Sequence, residues 1–127
     1  MNSERFERGL NTLRKVDPEV AANLMDVMKN LAPDLARWTI EFGFGDIMSR
    51  PELDLKTREL INIGMLGAMG TASDQLKMHV KGALNTGATR EEILEVILQL
   101  AGYAGFPAAY NALKVAAEVF QQQPTAR

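Results

Sequence analysis

The chain contains one histidine, His79, within the segment QLKMHVKGAL (75–84). An imidazole changes charge near neutral pH, so this side chain can act as an acid, a base or a hydrogen-bond donor. Gln75 lies four residues earlier, one helical turn away on the same face. Its amide can orient the ring or donate to a ligand, but it cannot give or take a proton. Glu59 can pair with an arginine, relay a proton to His79 through water, or sit in an ordinary helix-surface or buried ion pair. Arg58 and Arg50 carry planar guanidinium groups that match a carboxylate at two points. The same two arginines can equally serve as an inter-helix salt bridge and a loop anchor. Trp38, Phe42 and Phe44 can line an apolar pocket or fill a core. Tyr103 falls in a helix break, where its hydroxyl can reach a ligand or satisfy backbone groups. These residue types offer an acid–base group and guanidinium groups able to hold an anion.

Helices must position these groups, because the apolar residues recur at helical spacing throughout. Residues 3–15 read as a first helix, with Ser3 as N-cap and Phe6, Leu10 and Leu13 on one face. Asp17 followed by Pro18 opens a second helix, with Val20, Leu24, Val27 and Met28 as its stripe. A third, over 33–44, carries Leu35, Trp38 and Phe42. Gly43, Gly45 and Arg50-Pro51 are expected to break the pattern there. A fourth helix runs from near Asp54 to Gly70, where Gly64, Gly67 and Gly70 recur every third residue and predict close approach of another helix. The fifth spans 73–86, capped by Ser73 and closed by Gly87. Thr89 and Glu92 form a capping box that opens the sixth. The YAGFP segment interrupts it, and Pro107 begins a seventh helix to about 122. No strand signal competes. The expected fold is therefore all-α, a single-domain bundle of six to seven helices over 1–127, with 123–127 as a loose tail.

Composition narrows the function. The 127 residues are 46% apolar and 24% charged, with a net charge of −2. This is a soluble globular balance with no basic stripe, so nucleic acid is not an expected partner. No apolar run is long enough to span a bilayer, which argues against a membrane protein. Cysteine is absent, which removes disulfides, thiolate metal sites and thiol nucleophiles together. One histidine without cysteine makes no metal constellation. The N-terminus MNSERFERGL has no apolar run and does not read as a secretory signal, so a cytoplasmic location is expected. The fourth and sixth helices are apolar around much of their circumference. They are either central core helices or faces of a homo-oligomer.

Two segments carry a further signal: EFGFGDIMSRPELDLKTRELINIGMLGAMG (41–70) and LKMHVKGALNTGATREEILEVILQLAGYAGFPAAYNAL (76–113). In them Gly45, Arg50-Pro51, Leu53, Arg58, His79, Gly87, Thr89, Glu91-Glu92, Tyr103, Gly105 and Pro107-Ala108-Ala109 follow the pattern of the carboxymuconolactone decarboxylase family, which the chain resembles from Arg37 to Val115. RFERGL, near the N-terminus, is similar to the family's usual opening. The resemblance implies a small all-α, alkylhydroperoxidase-like subunit in a homo-oligomer, a trimer or hexamer. It implies a cofactor-free enzyme of aromatic degradation that removes CO2 from 4-carboxymuconolactone in the β-ketoadipate pathway. The superfamily's peroxidase branch carries a Cys-x-x-Cys pair at the positions near Ala72 and Gln75. A chain without cysteine cannot supply that thiol chemistry.

Some positions differ from the decarboxylase pattern. Phe44 and Met48 stand where the family commonly has tryptophan, Gln75 where it has glutamate, and Ala104 where it often has cysteine. Glu59 stands where decarboxylases tend to have a small residue, a trait shared with the peroxidase branch. The reading that results is a cofactor-independent decarboxylase of 4-carboxymuconolactone or a related lactone or keto acid. His79 would be its acid or oxyanion donor, supported by Glu59 and Gln75. Arg58, Arg50, Trp38, Phe42, Phe44 and Tyr103 would bind the substrate. Two alternatives stay open: a related acid–base enzyme, an isomerase or lactone-processing enzyme on the same scaffold, and a non-catalytic homo-oligomer that binds a small acid.

Overall fold

A computed structural model describes residues 2–123, and they are all helical apart from short connections. The helices are α1 (Glu4–Val16), α2 (Pro18–Met28), α3 (Pro33–Trp38), α4 (Leu55–Met69), α5 (Ser73–Asn85), α6 (Arg90–Ala104) and α7 (Phe106–Gln122), with a π-helix (Thr39–Met48) continuing α3. The chain divides into two compact units, with the boundary between Leu55 and Lys56. No described helix is long and apolar enough to cross a membrane. Of the expected tail, residues 124–127 lie outside the described residues.

In the first unit the caps fall at the expected residues. The Ser3 hydroxyl accepts from the Phe6 amide at 3.0 Å, and the Asp17 carboxylate accepts from Val20 at 3.2 Å. The third helix does not stop at its glycines. It widens after Trp38 into the π form and runs to Met48. The reason is contact with α1. A Cβ on Gly9 would lie 1.9 Å from the Ile40 carbonyl oxygen, and one on Gly45 would lie 2.4 Å from that of Arg5. The glycines therefore serve close backbone approach rather than helix termination. Polar bonds lock the same seam. Arg8 donates to the Gly45 carbonyl at 2.8 Å, and Arg5 donates to both carboxylate oxygens of Asp46. The Arg5 guanidinium holds the Asp46 carboxyl below the usual carboxylate range. Leu13, Val16 and Ile40 are fully buried in this unit, each worth roughly 1.5–3 kcal/mol.

The second unit is built from α4 to α7 around Ile63, Val80, Ile93, Ile97, Ala116 and Val119. Gly67 makes room for α6 and α7, since a Cβ there would come within 2.7 Å of Leu100 and 3.3 Å of Ala112. Gly70 has a different task from the packing role its spacing suggested. A Cβ there would meet nothing within 4 Å, and its φ of +75° ends α4 in the left-handed region. Ser73 is the first residue of α5 and not its cap; Ala72 holds that position without a side-chain bond. The Thr89–Glu92 capping box forms in full. Lys56 reaches the same glutamate at 2.9 Å, and its hydrogen bond, with that of the Thr89 amide, holds the Glu92 carboxyl below its ordinary value. Arg90 clamps the end of α7 by donating to the carbonyls of Phe120 and Gln123 at 3.1 and 2.8 Å, with its guanidinium over the Phe120 ring. Gly105, at φ +97°, is the single hinge residue from which α7 starts at Phe106.

The glycine seam gives a direct test. Gly9→Ala and Gly45→Ala are each expected to cost about 3 kcal/mol or more in urea unfolding, through backbone overlap. A methyl group on Gly43 would meet nothing within 4 Å. Gly43→Ala is therefore expected to be neutral or stabilising by up to about 1 kcal/mol.

Candidate active site

The buried stripe of α4 is Glu59, Ile63 and Gly67, spaced four apart. Two of these are ordinary core residues, and the third is a carboxylic acid with 0% of its side chain exposed. Burying an isolated carboxylate is expensive, so a partner is required. Helix α5 supplies it. Its own buried residues are Leu76, Val80, Gly82 and Ala83, and they turn the edge of the helix that bears His79 toward α4. Nδ1 of His79 lies 2.6 Å from Oε1 of Glu59, and 15% of the histidine side chain stays exposed. The expectation of a relay through water is corrected here, since the two groups touch directly.

This contact fixes how the ring is used. With Nδ1 turned to Glu59, only Nε2 is left for a ligand. The other glutamate oxygen, Oε2, is buried without a hydrogen-bond partner. Gln75 is exposed on α5, one turn before His79. Arg58 is half-buried on α4, adjacent in the chain to Glu59. Tyr103 is 93% exposed near the end of α6. It edges a cavity of about 370 Å³ between α4 and α6, whose other polar lining groups are Thr57 and Gln99. Sequence reasoning did not single out those two. The only signal was their spacing, Thr57 two residues before Glu59 and Gln99 one turn before Tyr103.

The remaining candidates lie in the first unit. Trp38 and Phe42 are exposed, at 60% and 58%, whereas Phe44 is buried. Arg50 is exposed and forms a loose ion pair with Glu52 at 3.5 Å. The structure thus joins Glu59 and His79 in one contact. It places Arg58 and Gln75 on the same two helices. Among the described residues no cluster of three or more metal-ligating side chains occurs.

This all-helical chain, with its Glu–His pair, belongs to the carboxymuconolactone decarboxylase family, whose model matches residues 33–118. It is 36% identical to the 4-carboxymuconolactone decarboxylase of Acinetobacter baylyi over 123 residues, covering 95% of this chain and 91% of that protein. A 15.0 kDa protein from the nqo9-nqo10 intergenic region of Paracoccus denitrificans is 35% identical, over 94% of this chain and 90% of its own length. The nitrosuccinic acid decarboxylase of Metarhizium robertsii is 37% identical over 75 residues, covering 59% of this chain and 52% of that protein.

The pair also makes a stability prediction. His79→Leu alone leaves a buried carboxylate uncompensated and is expected to cost about 3–5 kcal/mol in chemical unfolding. His79→Leu combined with Glu59→Leu is expected to recover most of that loss. A simple sum of two losses in the double variant would show that the pair is not coupled.

Proposed function

We propose that this chain is a cofactor-independent decarboxylase of a small carboxylic acid, with 4-carboxymuconolactone as its leading substrate. The observation that carries this reading is the buried Glu59–His79 contact, which leaves one imidazole nitrogen for a ligand. Similarity to two proteins named as decarboxylases supports it.

The reaction breaks the bond between carbon and the departing carboxylate. The electron pair left behind spreads through the ring double bond to the lactone carbonyl oxygen, so the substrate is its own electron sink. A donor near that oxygen stabilises the developing charge. His79 is assigned this role, and it then delivers a proton to carbon as general acid. One proton enters and one CO2 leaves in each turnover, and His79 regains its proton from water. Glu59 holds the ring, and Gln75 offers an amide donor one turn away. Arg58, beside Glu59 on α4, is the proposed anchor for the carboxylate that is retained. Tyr103, at the edge of the cavity between α4 and α6, is the proposed aromatic group of the substrate site.

CO2 release from 4-carboxymuconolactone tests the reading. The native chain is expected to release it, and His79→Gln, which keeps a donor for Glu59, to lose at least about 10²-fold in kcat. No release by the native chain, with release appearing in Gln75→Glu, would assign the scaffold to a different acid–base reaction. No release from either would leave acid binding as the function.

We also propose that the protein is a homo-oligomer. Leu98, Phe106, Tyr110 and Leu113 are exposed and line an apolar cavity of about 360 Å³ between α6 and α7. Ile61, Met65 and Met69 leave a second apolar face on α4. Such surface exceeds what scattered exposed residues explain. Light scattering is expected to give a multiple of 14.0 kDa for the native chain. Leu98→Glu is expected to shift the mass toward the single subunit while helicity is retained.

A further inference from the structure

Of the glycines at every third position near the end of α4, two have a packing or backbone reason. Gly67 lets Leu100 of α6 and Ala112 of α7 come close, and Gly70 ends the helix at a positive φ. Gly64 has neither reason. Its φ is not positive. A Cβ there would meet only Cγ1 of Val96, at 3.5 Å, an ordinary van der Waals contact. Alanine would fit the same space and make a better helix, because glycine inside a helix is unfavourable. What Gly64 provides is room. It lines the cavity of about 370 Å³ between α4 and α6, with Ala68 one turn further along.

The rest of the lining limits what that room can hold. Its walls are Leu60 and Ile61 of α4 with Val96 and Leu100 of α6, all aliphatic. Among the described residues, no Asp, Glu, Lys, Arg or His lines it. A carboxylate placed inside would lose its water with no cation to replace it, so the charged groups of a ligand must stay outside. Thr57, Gln99 and Tyr103 are the polar side chains that line it, and all three are neutral groups. Gln99 and Tyr103 stand four apart on α6 and so share a face. A side-chain amide both donates and accepts, so Gln99 can bond a carbonyl, ester or hydroxyl oxygen. The cavity between α6 and α7 has nearly the same volume, about 360 Å³, but Tyr110 is its one polar lining side chain. The two hollows therefore differ in chemistry and not in size. One suits another apolar surface, and the other suits a small molecule with an uncharged oxygen.

We propose that the cavity between α4 and α6 takes the uncharged body of the substrate, a small ring or short chain bearing a carbonyl, ester or hydroxyl oxygen. Gly64 sets how large that body can be, and Gln99 bonds its oxygen. This deepens the decarboxylase reading and rests on it for calling the ligand a substrate. In 4-carboxymuconolactone the part that answers this description is the lactone ring, whose ester oxygens carry no charge. Its carboxylates stay at the mouth. Gly64 thus lowers the helical stability of α4 and gives the cavity its space.

Phenol is the probe, since it is one uncharged ring with one hydroxyl oxygen. In methyl NMR at pH 7 the native chain is expected to show saturable phenol shifts at Leu60, Ile61, Val96 and Leu100. Gly64→Leu is expected to weaken that binding about 10-fold or more, by filling the space. Gly64→Ala is expected to weaken it less and to melt no lower than the native chain. Gln99→Leu is expected to weaken phenol by about 3- to 10-fold while leaving the binding of toluene, which has no oxygen, unchanged. Native methyls that phenol does not move would overturn the inference, as would Gly64→Leu binding phenol as tightly as the native chain. Should Gly64→Leu fail to fold, unchanged phenol affinity in both Gly64→Ala and Gln99→Leu would overturn it instead. A Gly64→Leu chain that keeps its phenol affinity but changes its mass in light scattering would assign the hollow to a second copy of the chain. No turnover is needed, so the result stands apart from the CO2 assay. Phenol binding that depends on Gly64 and Gln99, in a chain that releases no CO2, would fault the decarboxylase reading and leave the cavity assignment standing.

Discussion

A carboxylic acid at position 59 occupies a slot that helix geometry gives to the core, and it can stay there only with a partner touching it. That requirement organises the second unit. Helix α5 must lie against α4 with His79 on the facing edge, because a contact of 2.6 Å tolerates little slippage. Leu76, Val80 and Ala83 set that orientation by burying the adjoining face of α5. Gly67, two turns along α4 from Glu59, lets Leu100 of α6 and Ala112 of α7 close over the same stripe. A buried ion pair is poor evidence of stability, since two leucines could fill the space more cheaply. The same contact turns Nδ1 to Glu59 and leaves Nε2 on the other side of the ring.

The first unit obeys a different constraint, close approach of two backbones. Gly9 and Gly45 face each other where α1 crosses the π-helix, leaving no room for a methyl group on either. Arg5, Arg8, Asp46 and the Gly45 carbonyl then tie the seam on its wet side. These exposed ion pairs orient more than they stabilise. The π segment keeps its backbone helical through two glycines that would ordinarily end a helix, and it leaves Trp38 and Phe42 facing outward. Large aromatic side chains kept in water are costly.

This member of the family pairs its one histidine with a buried glutamate from a neighbouring helix. No cysteine is present in the sequence. Gln75 offers an amide and sits exposed one turn from the histidine. The acidic group lies inward instead, at Glu59, beneath the imidazole. An exposed carboxylate and a buried one act differently on the same ring. The buried one, in direct contact with Nδ1, fixes the orientation of the ring.

Local chemistry made much of this legible in the sequence. Ser3, Asp17-Pro18 and Thr89–Glu92 mark helix starts because each satisfies amides only two or three residues away. The all-α class follows from spacing alone. His79 and Gln75 share a face because four residues make about one turn. Gly9 and Gly45 could not be read as partners, since they are far apart in the chain and their contact exists only once α1 crosses the π-helix. Gly70 shared a spacing with Gly64 and Gly67 but ends the helix, a difference of backbone angle that spacing does not encode. Glu59 and His79 were both visible as candidates, yet their direct contact was not. They sit on different helices, and whether a carboxylate touches an imidazole or reaches it through water depends on how closely those helices pack. Most helices, most of their caps and the lone imidazole could thus be read from the chain, because they depend on neighbours within a turn. The burial of Glu59 against Nδ1, and so the nitrogen left to act, came only with packing. Burial is a property of what surrounds a residue, and that is known only after distant segments have met.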